Sequence, residues 1–257
     1  MNGIVLSAKV AQFIHSSFEW LGLAVGVQMY RLLRHRRGAP GIFETNTYVV
    51  MLACILGSAI GNKLVFWFEY PHLWATRAHD VAAWFSGQSI VGGLLGGLVG
   101  VEVAKRIVGI SYSTGDDFVL PLMAGTIIGR IGCFLAGLHD ATYGSATTLP
   151  WGVNFGDGVL RHPTQVYDML FVALWGGWLW HQRAKLNSQS GLLFKGYLSG
   201  YLVWRLLVDS IKPVPYAYLW QWSGIQWVCL VALILYLPFV IHAVIRASIH
   251  WRIKNNG

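Results

Sequence analysis

Charge is what this sequence has little of. Across 257 residues only 12% are Asp, Glu, Lys or Arg, about half the share of an ordinary water-soluble domain. Acidic residues are the scarcer sign, 11 against 19 Lys and Arg. Cysteine is scarce too. Cys54, Cys133 and Cys229 stand far apart inside apolar stretches, which excludes a disulfide framework and any zinc-type ligand spacing. His35, His72, His79 and His242 are equally scattered, so no metal centre is expected. The opening residues lack a basic start, a short apolar core and a small-residue cleavage site, so no cleaved secretory signal is expected. The glycine run "GGLLGGLVG" has neither a preceding soluble strand nor the spacing of a dinucleotide loop, which leaves no expected cofactor.

What is present is apolar length. Hydrophobic residues make up 55% of the chain, with 13 Trp, and several stretches run for roughly 20 residues almost without charge, enough to cross a hydrocarbon core of about 30 Å. Seven spans are expected, at about 13–32, 47–69, 88–108, 118–137, 165–182, 196–212 and 220–245. The expected fold is an all-α polytopic membrane protein, one bundle covering residues 1–257. Basic residues supply its orientation. Arg31, Arg34, Arg36 and Arg37 follow the first span, and Lys105 and Arg106 end the third. Arg183, Lys185 and Lys195 lie between the fifth and sixth; Arg246, Arg252 and Lys254 follow the seventh. With seven crossings all of these fall on one side, which the positive-inside rule makes cytoplasmic, leaving the N-terminus outside. The net charge of +8 is thereby topology rather than a nucleic-acid surface. Two longer outer loops are expected at 80–86 and 138–164, and the second is too long for a plain connector.

Three basic residues remain within or at the outer ends of spans two, four and six, namely Lys63, Arg130 and Arg205. An ionised group at membrane depth needs a partner or a task. Arg130, Cys133 and Gly137 share one helix face, as do Tyr201, Arg205 and Asp209. Arg205 has two readings, an internal pair with Asp209 or a lipid contact. Two arginines near one level suit bidentate recognition of a phosphate, and a phospholipid head group is the nearest phosphate. The segment "RHPTQVYD" places Arg161, His162 and Gln165 at the same outer mouth, with Pro163 suited to the first helical turn and Asp168 in or near that turn, where the helix dipole favours it. Gly92, Gly96 and Gly100, with Gly93 and Gly97 beside them, make a small-residue stripe. That stripe serves tight helix packing, or else Gly92 and Gly93 line a substrate groove.

The strings "GRIGCF", "LPWGVNF", "RHPTQVYD", "YLVWRLLVD" and "GIQW" resemble, in order, the signatures of the phosphatidylglycerol–prolipoprotein diacylglyceryl transferase family, and "VGGLLGG" resembles its His-Gly-Gly segment. The resemblance implies a seven-span bacterial inner-membrane enzyme with an external N-terminus. It implies transfer of the diacylglyceryl group of phosphatidylglycerol to a lipobox cysteine thiol, releasing glycerol 1-phosphate. By resemblance Arg130 and Arg205 match the family's two essential arginines. The departures concentrate on the acceptor side: Val91 stands where the family has His, Cys133 where it has Asn, Leu138 where it has Glu, and Leu21 where it has Tyr.

The expected site therefore has Arg130 and Arg205 stabilising the departing phosphate, with Cys133, Arg161, Gln165, Tyr167 and Tyr201 lining the substrate. A general base of near-neutral pKa is required. The candidates are His139, paired with Asp140 if both sit in a turn, or His162. Cys133 is either a nucleophile activated by Arg130 or a small buried hydrophobe. Two other classes remain open: a related transferase with an amine, hydroxyl or small-thiol acceptor, and a lipid-holding transporter or scaffold. Against the transporter, no self-similarity joins the two halves.

Overall fold

The computed structural model describes residues 6–39, 41, 43–77, 79–81, 84, 87–186 and 191–256, the side chains of 45, 185 and 246–256 excepted. The described residues are almost wholly helical. In chain order the helices are α1 (Ala8–Arg36), α2 (Thr45–Glu69), α3 (Pro71–Arg77), α4 (Ile90–Ile107), α5 (Val119–Ala136), α6 (Thr164–His181), α7 (Arg183–Leu186), α8 (Leu192–Val208) and α9 (Gly224–Asn256). A two-residue hairpin, β1 (Val153–Asn154) and β2 (Leu160–Arg161), interrupts them.

Each expected span falls on a helix. Three stretches are long and apolar enough to cross a membrane by length and composition: Asn46–Glu69, Asp116–Asp140 and Gly224–Ile245. The others are shorter or more polar. α6 and α8 have 18 and 17 residues, and α1 carries His15 and Glu19 in mid-helix. Large apolar side chains stand exposed along α2 (Ile55, Ile60, Leu64) and α9 (Ile234, Leu235). In water such a surface is a liability, and it is the surface that lipid contact requires.

The chain forms two compact units. The first holds residues 1–33, 114–197 and 210–213. Its helices meet through small residues. A Cβ added at Gly22 of α1 would lie 2.9 Å from the Gly125 carbonyl oxygen of α5, and one at Gly176 of α6 2.5 Å from the Met123 sulfur. Such contacts let backbones approach where lipid offers no hydrophobic drive. α5 ends at Gly137, whose φ of 63° favours glycine. A tight turn, Gly137–Asp140, follows. Asp116 takes the amides of Gly191 (2.7 Å) and Phe194 (2.9 Å), capping the start of α8 from a distant part of the chain.

The second unit holds residues 34–113, 198–209 and 214–257. Its centre is the α2–α4 contact. Gly57 and Gly61 face Gly96 and Gly92 so closely that a Cβ on any of the four would enter the opposite backbone. The glycine stripe is thus a packing device, and Gly92 is spent on it. α4 begins with the Ser89 hydroxyl accepting from the Gly92 amide (3.3 Å). α9 begins with a reciprocal cap: the Gln226 side chain accepts from the Ser223 amide (3.0 Å) and the Ser223 hydroxyl from the Gln226 amide (3.1 Å). Two adjoining residues of the "GIQW" string thereby work at a helix start, Gln226 in this pair and Ile225, whose amide donates to Glu69 (2.7 Å).

Most of the expected outer loop at 80–86 lies outside the described residues. The 138–164 loop is ordered by its own contacts. Asn154 accepts from the amides of Gly156 (2.8 Å) and Gly158 (3.1 Å), tightening the hairpin. The amides of Gly144 and His162 bond to the carbonyls of His162 and Ser145, and the Ser145 amide reaches the Ile211 carbonyl at 2.8 Å.

Candidate active site

Arg130 emerges from the middle of α5 and is only 5% exposed. Its Nη2 lies 2.8 Å from the Asp168 carboxylate on α6, which is wholly buried. A lone buried guanidinium would carry an uncompensated desolvation cost, which the Asp168 carboxylate offsets. Asp168 therefore holds Arg130 in place. Arg130 Nη1 also approaches Cys133 Sγ, one turn along α5, at 3.9 Å.

Cys133 leads to a group that linear spacing does not reveal. His15 of α1, Cys133 of α5 and Asp140 of the following turn each offer one donor atom, all within 4.8 Å of one another. His15 Nδ1 is 2.5 Å from Asp140 Oδ1, and His15 Nε2 is 3.0 Å from the Glu19 carboxylate. Asp140 also takes the Thr142 hydroxyl. The Gln165 amide nitrogen donates to Thr142 Oγ1 at 3.2 Å, while Gln165 Oε1 is buried with no hydrogen-bond partner among the described residues. His15, Cys133, Asp140, Thr142 and Gln165 thus form one polar core beside the Arg130–Asp168 pair.

His139 is placed differently from its neighbour. Its ring is exposed, with Nε2 3.0 Å from the Leu6 carbonyl, whereas Asp140 turns to His15. Adjacent residues of a turn project apart, so the two do not form the pair expected of them. His162 is half-buried, its Nδ1 3.3 Å from the Tyr167 hydroxyl. That hydroxyl accepts from the Trp151 indole at 2.7 Å, so the three side chains form one chain of contacts. Arg161 packs over the Tyr143 ring at 5.0 Å and donates to Asp157 at 2.7 Å. This exposed pair holds the Asp157 carboxyl below its usual range and the guanidinium above its own.

In the second unit, Arg205 Nη2 lies 2.7 Å from Asp209, four residues on, and both are buried. The ion-pair reading of Arg205 is therefore correct as geometry. Tyr201, one turn earlier, is 1% exposed. A groove of about 670 Å³ in this unit is lined by Phe68, Leu95, Val99, Trp227, Leu235 and Phe239 among others, a surface suited to hydrocarbon. Gly93, beside Gly92, keeps ordinary contact distance, 3.9 Å to the Ser58 carbonyl oxygen for an added Cβ.

Sequence reasoning missed His15 and Glu19. Their one visible sign was the i, i+4 spacing of two ionisable groups in an apolar span. Asp168 was flagged for its place in a helix, not as the counter-charge of Arg130.

A family model for prolipoprotein diacylglyceryl transferase matches residues 12–242. A protein of Solidesulfovibrio magneticus named phosphatidylglycerol–prolipoprotein diacylglyceryl transferase is 33% identical over 218 residues, 77% of this chain and 79% of its own. One of the same name from Vibrio campbellii is 31% identical over 224 residues, 81% and 78% of the two chains. A third, from Nitratidesulfovibrio vulgaris strain DP4, is 34% identical over 177 residues, and the matched stretch spans 65% of that relative's length.

Proposed function

Given that the chain belongs to the prolipoprotein diacylglyceryl transferase family, we propose that it transfers the diacylglyceryl group of phosphatidylglycerol to the thiol of a lipobox cysteine and releases glycerol 1-phosphate. The observation that carries this reading is Arg130, a guanidinium buried in an apolar helix and held by Asp168.

The chemistry explains why such a group is needed. The acceptor sulfur attacks the glyceryl carbon; a C–S bond forms as the C–O bond to phosphate breaks, and the electron pair leaves on the phosphate oxygen. Charge builds on that phosphate in the transition state. A guanidinium already oriented by a carboxylate meets it without reorganisation. Arg205, held by Asp209, is proposed as the second essential cation. Arg161, Gln165, Tyr167 and Tyr201 are proposed to contact substrate, with Cys133 beside Arg130. His162, in contact with the Tyr167 hydroxyl, is proposed as a proton carrier.

The setting proposed is a bacterial inner membrane crossed seven times, with the N-terminus outside and the 138–164 loop on the outer face. The distribution of Lys and Arg supports this orientation. Partners are the anionic phospholipid and the acceptor protein.

The test is the full chain reconstituted in phosphatidylglycerol vesicles with a lipobox peptide. Mass spectrometry of the peptide and release of glycerol phosphate should report transfer together. Arg130→Ala should lose about 100- to 1000-fold in rate, as removal of a preorganised anion-stabilising donor does. A normally inserted Arg130→Ala chain at full rate defeats the proposal.

A further inference from the structure

His15, Cys133 and Asp140 come from three separate elements, a helix, a second helix and the turn after it. They bring an imidazole nitrogen, a thiol sulfur and a carboxylate oxygen to within 4.8 Å of one another. A mixed N, S and O donor set of this kind is characteristic of zinc, which prefers four tetrahedral ligands and in catalytic sites keeps one position open. We propose that these three side chains form a binding site for Zn²⁺, whose open position takes the acceptor thiol as its thiolate. The second half of this statement rests on the diacylglyceryl-transfer reading; the first does not.

Four observations point the same way. His15 is held at its far nitrogen by a carboxylate, Glu19, at 3.0 Å. This is the outer contact that metal-bound histidines make to fix the ring and raise its basicity. Asp140 is held from behind by Thr142, which is in turn held by Gln165. Charge also balances: a thiolate and a carboxylate match a dication, and Arg130 close by is already matched to Asp168. Access is asymmetric. The Cys133 and Asp140 side chains are closed, at 7% and 3% exposed, while the His15 side chain is 25% exposed. An incoming thiol would therefore reach the group from the His15 side.

The adjustment needed is small. His15 Nδ1 and Asp140 Oδ1 stand 2.5 Å apart. Two ligands at zinc bond lengths of about 2.0–2.1 Å and a tetrahedral angle stand about 3.3 Å apart. The two atoms need to separate by only about 0.8 Å. The site also answers the sequence's loss on the acceptor side, where Val91 leaves no imidazole on α4. A metal-bound thiol is deprotonated outright. Its sulfur then attacks the glyceryl carbon, C–S forms, C–O breaks, and the electron pair departs on glycerol 1-phosphate. The thiol proton leaves to water at the outer face.

The experiment uses the full chain purified in detergent, loaded with Zn²⁺ and desalted. Elemental analysis should find about one zinc per chain, falling to background in Cys133→Ser and at least tenfold weaker binding in His15→Gln and Asp140→Asn. Zinc in the unmodified chain no higher than in Cys133→Ser overturns the site. With Co²⁺ in place of zinc, a thiolate-to-cobalt absorption band should appear and strengthen on adding a lipobox peptide, but not its cysteine-to-serine counterpart. A spectrum indifferent to the cysteine peptide overturns the acceptor role. Failure of the transfer reading looks different: metal and thiol bind as stated, yet no diacylglyceryl group moves with or without zinc.

Discussion

Removing the charge of Asp168 tests how much of Arg130's role is owed to its neighbour. Asp168→Asn leaves a guanidinium buried without its carboxylate, and breaking one half of a buried pair costs about 3–5 kcal/mol. The expected result is a clear drop in the denaturation midpoint of the detergent-solubilised chain, with transfer activity reduced at least tenfold. Asp168→Glu should recover part of both. An exposed pair behaves otherwise. Arg161 holds the Asp157 carboxyl below the unfolded value of 3.8, so its contribution is complete above that value and lost only as pH falls through the lower folded one. The protection this pair gives the β1–β2 hairpin should therefore be constant between pH 5 and 8, and Asp157→Asn should speed amide exchange there by the same factor across that range. Histidine identity was the least legible residue-scale feature. His162 sits in a string that carries the family resemblance, whereas His139 and His15 do not. The partner of His15, Asp140, lies 125 positions away, and nothing in the spacing of one chain encodes that encounter.

Helix contacts were far more legible. Glycines repeating every four residues on α4 announced a close approach, because in lipid the only gain from pairing helices is contact between their backbones. The structure separates neighbours that look alike in sequence. Gly96 faces the Gly57 backbone with no room for a methyl group, whereas Gly93 has ordinary space. Gly96→Ala should push α2 and α4 apart and destabilise by about 1–3 kcal/mol or more. Gly93→Ala should be neutral or gain up to about 1 kcal/mol from its better helix propensity. A folding titration in mixed micelles compares them directly; equal destabilisation by both would remove the packing account. What the pattern could not tell was that α1 and α6 carry ionisable groups inward. Those groups make the spans look too polar for lipid until their partners on α5 and its turn are known.

At the scale of the whole chain, the positions of Arg and Lys decide what neither local pattern nor contact can. Because most of them follow the first, third, fifth and seventh spans, a reporter active only outside the cytoplasm should be silent when fused after residue 257. The same reporter should be active when inserted between Asp157 and Gly158. An active C-terminal fusion would reverse the orientation and put the long loop on the wrong side for a lipoprotein precursor. The composition made the membrane class plain, since so little charge and so much exposed apolar surface fit no aqueous fold.

The loop that joins α5 to α6 is fastened at its base, with Gly144 wedged among His162, Thr164 and the Ile211 carbonyl. At Gly158 the tip is held only by its amide's bond to Asn154, and an added methyl group meets nothing within 4 Å. An epitope or a protease cleavage sequence set at the tip is thus a tool for following the enzyme in living cells, and the same insert at Gly144 would dismantle the seat it was meant to report on.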